Sequence, residues 1–411
     1  MALVVQKYGG TSVAGPERIK KVARRIIETK KKGNRVVIVV SAPGDTTDRL
    51  IETAREITPS PPEREMDMLL ATGEQMSIAL LAMAINALGE KAVSLTGGQV
   101  GIVTDETFTK AKIKKIDTRK IEKELAKDRI VIVAGFQGIT ANRDITTLGR
   151  GGSDLTAVAL ASVLKADRCE VYTDVAGVYT ADPRIVPDAR KIDKISYDEM
   201  LELASLGAQV MVPRSIQVAK KFDVDIQVRS SFSEEEGTVI TREVTKMEEV
   251  VVSGVAYDKD QVKVTITGVP DRPGIAAKIF GALAQGNVNV DMIIQSSAKE
   301  GINDISFTVS RGDLRKTLEI MERVKREMGA KGLIYDEGVA KVSIVGVGMR
   351  SHSGVACEMF SALAEENINI EMISTSEIKI SCVIKEKETE KAVRALHRKF
   401  RLGEAPSREK K

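Results

Sequence analysis

Histidine is almost missing from this sequence. Among 411 residues only His352 and His397 are histidine, both near the C-terminal end. Chemistry carried by the rest of the chain must use lysine, arginine, carboxylates, hydroxyls, backbone or metal, which excludes a histidine-dependent triad or a histidine zinc site there. Such a chain suits a reaction whose nucleophile is already ionised, where catalysis is positioning plus charge neutralisation, as in phosphoryl transfer. Cysteine is nearly as sparse. Cys169, Cys357 and Cys382 are odd in number and lack metal-ligand spacing, so buried free thiols are expected. No long apolar stretch of signal-peptide type opens the chain. Charged or polar residues are expected to break every apolar run before it reaches bilayer-spanning length, so the chain reads as cytoplasmic, with no membrane partner. The net charge of +4 is mild, and no basic face interleaved with aromatics is seen, so no nucleic-acid partner is expected.

What is present is a soluble composition, 43% hydrophobic and 29% charged, on a chain too long for one ordinary core. The first 240 or so residues alternate short apolar runs (Leu3-Val4-Val5, Val36 to Val40, Ile130 to Ala134) with helical stretches at Glu17 to Lys31, Gln75 to Leu88 and Leu155 to Lys165. That rhythm predicts an α/β three-layer αβα sandwich around a mainly parallel sheet, with ligands at the carboxyl ends of the strands. Pro59-Ser60-Pro61-Pro62 reads as a local loop. Beyond Ser233-Glu234-Glu235-Glu236-Gly237 the pattern changes and an internal repeat begins. Gly274 through Ser296 aligns with Gly354 through Ser376 at an offset of 80, with 11 of 23 positions identical. Each copy opens on an alternating strand, Val262 to Val269 and Val342 to Val347, and closes on a helix, Leu314 to Met328 and Glu386 to Phe400. This is the ferredoxin-like βαββαβ unit, twice. Such modules appended to a complete α/β domain are more often devices for sensing or assembly than filler.

Four segments carry the candidate chemistry. Lys7-Tyr8-Gly9-Gly10-Thr11-Ser12 follows the first apolar run. Two glycines let backbone N–H groups approach an anion while Lys7 adds a point charge, although the Walker spacing is absent. Ser41-Ala42-Pro43-Gly44-Asp45-Thr46-Thr47-Asp48 follows the second run. Gly149-Arg150-Gly151-Gly152-Ser153-Asp154 offers donors, a guanidinium suited to a carboxylate, and a first-turn acid. Tyr172-Thr173-Asp174 through Tyr179-Thr180-Ala181-Asp182-Pro183-Arg184 adds hydroxyls, acids and an arginine. On residues alone, Asp154 reads equally as a helix cap, Arg184 and Asp174 as a surface ion pair, and Glu74 as compensation of the dipole where a helix begins.

Taken together these segments closely resemble the aspartate kinases, an amino-acid-kinase domain followed by two ACT repeats, over nearly the whole chain. The match rests on residues 7–12, Met68 to Glu74, Thr147 to Asp154, Thr173-Asp174, Tyr179 to Arg184, Asp271-Arg272-Pro273-Gly274 and Ile373-Ser374-Thr375-Ser376-Glu377. The resemblance implies a catalytic domain over 1–245 and ACT repeats over 262–337 and 338–402, with a strand at 249–257 completing the ACT region. It implies ATP-dependent phosphorylation of the β-carboxylate of L-aspartate to 4-phospho-L-aspartate, the first step toward lysine, threonine and methionine. Lys7, oriented by Asp154, would stabilise the transferring group. Tyr8, Gly9, Gly10, Ser41, Thr173, Asp174, Tyr179, Thr180, Ala181, Asp182, Pro183 and Arg184 would line ATP, with Mg²⁺ arriving on its phosphates. Thr47, Glu74, Arg150, Gly151, Gly152, Ser153 and Asp154 would hold aspartate, Glu74 its ammonium and Arg150 its α-carboxylate.

The repeats imply inhibition by lysine, threonine or both, through Asp271, Gly274, Ile275, Ala276, Asn289, Val290, Asp291 and Gln295 in the first copy. In the second the implied set is Gly354, Val355, Asn369, Ile370, Thr375 and Ser376, although Met349-Arg350-Ser351-His352 replaces Asp271-Arg272 there. A homo-oligomer, or pairing with a shorter regulatory chain begun at Met247, fits equally. Gln209, Val212, Pro43 and Arg49 depart from the family's commonest residues. Other readings on this fold are a kinase of glutamate or N-acetylglutamate, a nucleotide-monophosphate kinase, and a binding protein whose kinase activity is lost.

Overall fold

Buried strands set side by side in register decide where this protein can hold a ligand. The computed structural model describes residues 1–207, 210–242, 251–298 and 300–404; Gln209, Met247 and the start of the strand expected at 249–257 lie outside them. Among the described residues, contacts divide the chain into two units. The first takes Met1–Val178, Lys191–Ser205 and residues 210 to 242; the second takes Tyr179–Arg190, Leu206 and Gly207, and residues from 251 on.

The first unit is built on an eight-stranded sheet. Its order is Lys194–Ser196, Thr238–Thr241, Ile226–Ser230, Arg168–Thr173, Leu3–Tyr8, Arg35–Val40, Ile130–Ala134 and Ala92–Leu95. Every pairing is parallel except that of Ile226–Ser230 with Thr238–Thr241. Leu3–Tyr8 is wholly buried between Arg35–Val40 and Arg168–Thr173, so the strand order reverses around it, and its carboxyl end faces a topological switch point. Tyr8 pairs with both Val40 and Tyr172, which brings Gly9, Ser41 and the strand-end Thr173 side by side at one edge of the sheet. The Tyr8 and Tyr172 rings stack at 4.7 Å beneath that edge.

Helices cover the sheet as their apolar spacing dictates. Pro16–Lys31 buries Ile19, Val22, Ala23, Ile26 and Ile27, one stripe at helical period, and turns its lysines and arginines outward. Gly152–Val163 is apolar nearly all round and buried from Gly152 through Ala161. The helix expected at Gln75 to Leu88 runs in fact from Glu63 to Ala87, 25 residues. By length and composition it could cross a bilayer, contrary to the expectation from sequence, but half of its most apolar window is buried inside the fold. A four-stranded sheet, Ile113–Ile116, Ile102–Thr104, Gln137–Ile139 and Ile145–Thr147, completes this unit.

The second unit carries both repeats on one antiparallel sheet, in the order Ile293–Gln295, Ile302–Val309, Gly254–Pro270, Gly332–Val345, Lys379–Lys385 and Met372–Thr375. Two long strands serve both copies. The second half of Gly254–Pro270 pairs with Ile302–Val309, while its first residues pair with Lys341 to Val345 of the second copy. Helices Ile275–Gln285 and Leu314–Met328 close the first core around Val264, Ile279, Phe307 and Met321. Val355–Glu365 and Thr389–Lys399 close the second around Ile344, Met359, Leu363 and Leu396. Ala181, Ile185 and Val186 belong to that second core. Cys169 and Cys382 are buried free thiols as expected, whereas Cys357 is exposed.

Candidate active site

A cleft of about 610 Å³ opens in the first unit at the carboxyl ends of the central strands. It is lined by Lys7, Gly10, Ser41, Thr47, Glu74 and the whole run Gly149 to Asp154, so one cavity collects segments far apart in sequence. Close backbone approach explains the glycines. A Cβ on Gly10 would lie 2.7 Å from the Ala42 carbonyl oxygen, and one on Gly151, whose φ is +69°, would lie 2.3 Å from Val212. Val212 therefore packs under the arginine loop.

Three charged groups define the chemistry. Lys7, at the end of its buried strand, pairs with Asp154 at 2.6 Å, and both residues are nearly buried. Asp154 lies in the first turn of its helix with its carboxylate turned to the lysine, so it is no cap. Glu74 is 3% exposed. Its Oε1 accepts the Ala42 N–H at 3.0 Å, while its buried Oε2 has no partner among the described residues. Burial pushes its carboxyl up to about 7. Glu74 lies mid-helix, not where a helix begins, because Gly73 is no breaker: a Cβ there would stand 2.7 Å from that of Ala42, and its absence lets the helix meet the loop. Arg150 is exposed and makes no ion pair among the described residues, which leaves its guanidinium open to the cleft. The arrangement presents one unpartnered carboxylate oxygen, one free guanidinium and one oriented ammonium around a single cavity.

The nucleotide residues read from sequence divide. Gly9 is beside Gly10, and the Ser41 N–H donates to the Tyr8 carbonyl at 3.1 Å. The Tyr8 side chain is buried under the sheet edge, so only its backbone reaches the site. Thr173 donates to Asp174 at 3.0 Å, on the neighbouring strand end. The run Tyr179 to Arg184 folds with the second unit, where two of its side chains are committed. The Thr180 hydroxyl accepts the Arg190 N–H and lies 3.0 Å from His397 Nε2, and Ala181 is core. The side chains of Thr180 and Ala181 are buried together, which withdraws them from ligand contact. Arg184 pairs with Asp182 at 2.8 Å rather than with Asp174, and Tyr257 donates to the same Asp182 carboxylate at 3.0 Å. Pro183 and Arg184 are exposed and Tyr179 is half-buried.

In the second unit the turn Asp271 to Gly274 is exposed, with Gly274 at φ +91° opening a helix on Ile275, and Ala276 beside it. Asn303, unmarked in the sequence, donates to Asp271 at 3.1 Å and leaves its buried Oδ1 unpartnered. Asn289, half-buried Val290 and exposed Gln295 lie on the following segment. Asp291 is engaged by buried Lys341, and its counterpart Glu371 is paired with Lys263 at 3.0 Å, a reciprocal clasp between the copies. Gly354, at φ +96°, repeats the turn ahead of Val355, with Asn369, Ile370, Thr375 and Ser376 following. Phe136 also escaped the sequence reading. It lines the cleft with φ +67°, a conformation that costs a bulky residue on the order of 1–3 kcal/mol and gathers at functional sites.

Comparison with known proteins bears on the same residues. Residues 2–230 match the amino acid kinase family, and residues 263–327 and 342–400 each match an ACT domain. The chain is similar to the aspartokinase of Pseudomonas aeruginosa, 54% identical over 411 residues and 100% of both chains. It is similar to that of Corynebacterium glutamicum at 53% over 408 residues, 98% of this chain and 97% of that one. Among solved structures it is similar to E. coli aspartokinase III in complex with aspartate and ADP, with a TM-score of 0.79 at 26% identity over 97% of this chain and 99% of that one. The same E. coli enzyme in complex with lysine and aspartate gives a TM-score of 0.75 at 26% identity, again over 97% and 99%.

Proposed function

The chain belongs to the aspartokinases of the amino acid kinase family, and from that premise we propose that its cleft transfers the γ-phosphoryl group of ATP to the β-carboxylate of L-aspartate, giving 4-phospho-L-aspartate and ADP. The observation that carries the reading is the pairing of Glu74, with its unpartnered buried oxygen, and the free Arg150 guanidinium across one cavity from the Lys7–Asp154 pair. An amino acid offers an ammonium to the first and an α-carboxylate to the second, which leaves its side chain directed at Lys7.

The mechanism follows from charge. A β-carboxylate is ionised near neutral pH, so no general base is needed, and the one carboxylate paired with Lys7, that of Asp154, is free to orient the lysine. One carboxylate oxygen attacks the γ-phosphorus, the bond to the bridging oxygen breaks, and ADP leaves. Lys7 and the backbone donors of Gly9 and Gly10 neutralise charge that builds on the moving phosphoryl oxygens, and Asp154 holds the lysine aimed. Among the described residues no group of three or more acids, histidines or cysteines is arranged to hold a metal. Mg²⁺ would come to this site as a companion of the nucleotide, held chiefly by phosphate oxygens, and would supply screening of their charge. Ser41, Thr173, Asp174 and the exposed part of Tyr179 to Arg184 are assigned to the nucleotide; Thr47 and Gly151 to Ser153 to aspartate. A panel of amino acids with ATP, the acyl phosphate trapped as hydroxamate, should give product far faster with aspartate than with any other, glutamate included. No hydroxamate from aspartate would overturn the reading.

Residues 1–245 are assigned as catalytic, and 262–337 and 338–402 as ACT repeats that lower activity when lysine, threonine or both bind. The family premise also favours a cytoplasmic enzyme at the head of lysine, threonine and methionine synthesis, assembled through its repeats with itself or with a shorter chain. Asp271 is the acid placed to hold an effector's ammonium group, since Asp291 is already paired. Asp271→Ala should relieve inhibition with little change in uninhibited kcat. Such coupling is typically worth about 1–3 kcal/mol, so the midpoint should move about 5–150-fold. Superimposed inhibition curves for the two proteins would remove this turn as the effector site.

A further inference from the structure

Seven residues before Glu74, on the same face of the long helix, lies a carboxylate that the mechanism does not use. Asp67 is fully buried. The Thr109 N–H donates to both of its oxygens, at 2.9 and 3.1 Å. The Thr147 N–H donates to Oδ2 at 2.8 Å, and the Thr147 hydroxyl donates to Oδ1 at 2.6 Å. Both threonines line the cleft, and Thr147 is followed directly by Leu148, Gly149 and Arg150. From the other side the Arg214 guanidinium donates to the Leu148 and Ala111 carbonyls, each at 2.7 Å, and the Ala111 N–H donates to the Thr147 carbonyl at 2.9 Å. The arginine loop is thereby tied through Asp67 to the helix that carries Glu74.

We propose that Asp67 is a positioning residue that sets the separation between Glu74 and Arg150, and with it the length of amino acid whose side-chain carboxylate reaches Lys7. The inference rests on the reading that Glu74 holds the substrate's ammonium and Arg150 its α-carboxylate. Those two groups share one carbon of the substrate, so fixing both fixes that carbon. The side chain must then span a set distance to the phosphoryl group. One further methylene carries the carboxylate about 1.5 Å too far, and misplacement of about 1 Å can cost 10²-fold in rate. A rigid tie is what such discrimination requires, and a carboxylate receiving three donors, one from the Thr109 loop and two from the end of the strand Ile145–Thr147, is one. Asparagine at 67 would turn an NH₂ group toward donors, releasing one loop or the other while keeping the shape.

The test uses the full chain. Steady-state kinetics of Asp67→Asn should show the aspartate KM raised at least tenfold and the ATP KM within twofold of wild type. The ratio of kcat/KM for L-aspartate over L-glutamate should fall at least tenfold. A merely structural Asp67 would lower the melting temperature and leave that ratio alone, and a folded variant with the wild-type ratio overturns the proposal. Should Asp67→Asn not fold, Thr147→Val removes only the hydroxyl's bond and should move the ratio the same way, about threefold or more; an unchanged ratio there is equally decisive. Glu74→Gln and Arg150→Ala run beside them separate the premise. If neither raises the aspartate KM, the substrate reading itself has failed, and this proposal with it. If both do and the ratio stays at the wild-type value in the position-67 and position-147 variants, only this proposal has failed.

Discussion

Lys7→Ala should lower kcat by about 10²–10³-fold, on the order of 3–4 kcal/mol, and leave the aspartate KM nearly unchanged. The lysine is held at the end of a fully buried strand, and Asp154 fixes its ammonium at 2.6 Å. Its charge is therefore present before the substrates arrive and is wanted most when the phosphoryl group is between oxygens. Removing it alone leaves Asp154 as an unpaired buried charge, a loss of about 3–5 kcal/mol in stability that could be mistaken for a catalytic effect. Lys7→Ala combined with Asp154→Asn should recover the melting temperature without recovering the rate. Steady-state kinetics and thermal melts on both variants check this. A kcat for Lys7→Ala within about fivefold of wild type, roughly 1 kcal/mol, would remove the clamp.

Glu74→Gln should do two opposite things. The aspartate KM should rise well over tenfold, because a charge-assisted contact to the ammonium is lost, while the ATP KM moves little. The free protein should become more stable at alkaline pH. Burial raises the Glu74 carboxyl from 4.5 to about 7, so folding favours the protonated form. The corresponding stability is complete below pH 4.5 and is lost as pH climbs through 7. At pH 8 the ionised carboxylate costs roughly 3 kcal/mol at about 1.4 kcal/mol per pKa step, and glutamine removes that cost. Melting curves from pH 5 to 8 should diverge as pH rises, the variant above the wild type. By the same linkage the wild-type aspartate KM should rise below pH 7, because the ammonium needs the ionised form. Parallel melting curves for the two proteins would mean that Glu74 is not a strained charge.

The residues of this site also differ in how far the sequence advertises them. Gly9-Gly10, Ser41 and the Gly149 to Asp154 run were legible because each follows or precedes an apolar run, and chain order alone implies that parallel strands end together. Glu74 was assigned to the site but given the wrong local structure. Gly73 reads as a stop, and only the approach of Ala42 reveals why a glycine sits inside the helix. Thr180 and Ala181 entered the nucleotide set with the whole run Tyr179 to Arg184, and nothing in the run itself tells that the side chains of these two are buried while Pro183 and Arg184 are exposed. Asp67 carries no local mark at all: an acid in the first turns of a helix, close to Glu63 and Glu65, looks the same whether it meets water or three donors from residues some 40 and 80 positions away. The strand Gly254–Pro270 looked like two, since Asp258-Lys259-Asp260 interrupts its alternation where the register shifts.

The packing of Tyr179–Arg190 within the second unit bears on how such an enzyme can change over generations. Ile185 and Val186 are buried in the core of the second repeat, contributing roughly 3–6 kcal/mol together, and Thr180 is held by His397. The segment leaves the first unit after Val178 and rejoins it at Lys191. A stop codon near residue 245 would thus strip a stretch of the catalytic sequence of its own hydrophobic support. Loss of everything after that point should therefore cost the remaining chain stability as well as the repeats, whereas a substitution that keeps the second core intact should remove a repeat's binding turn without that cost.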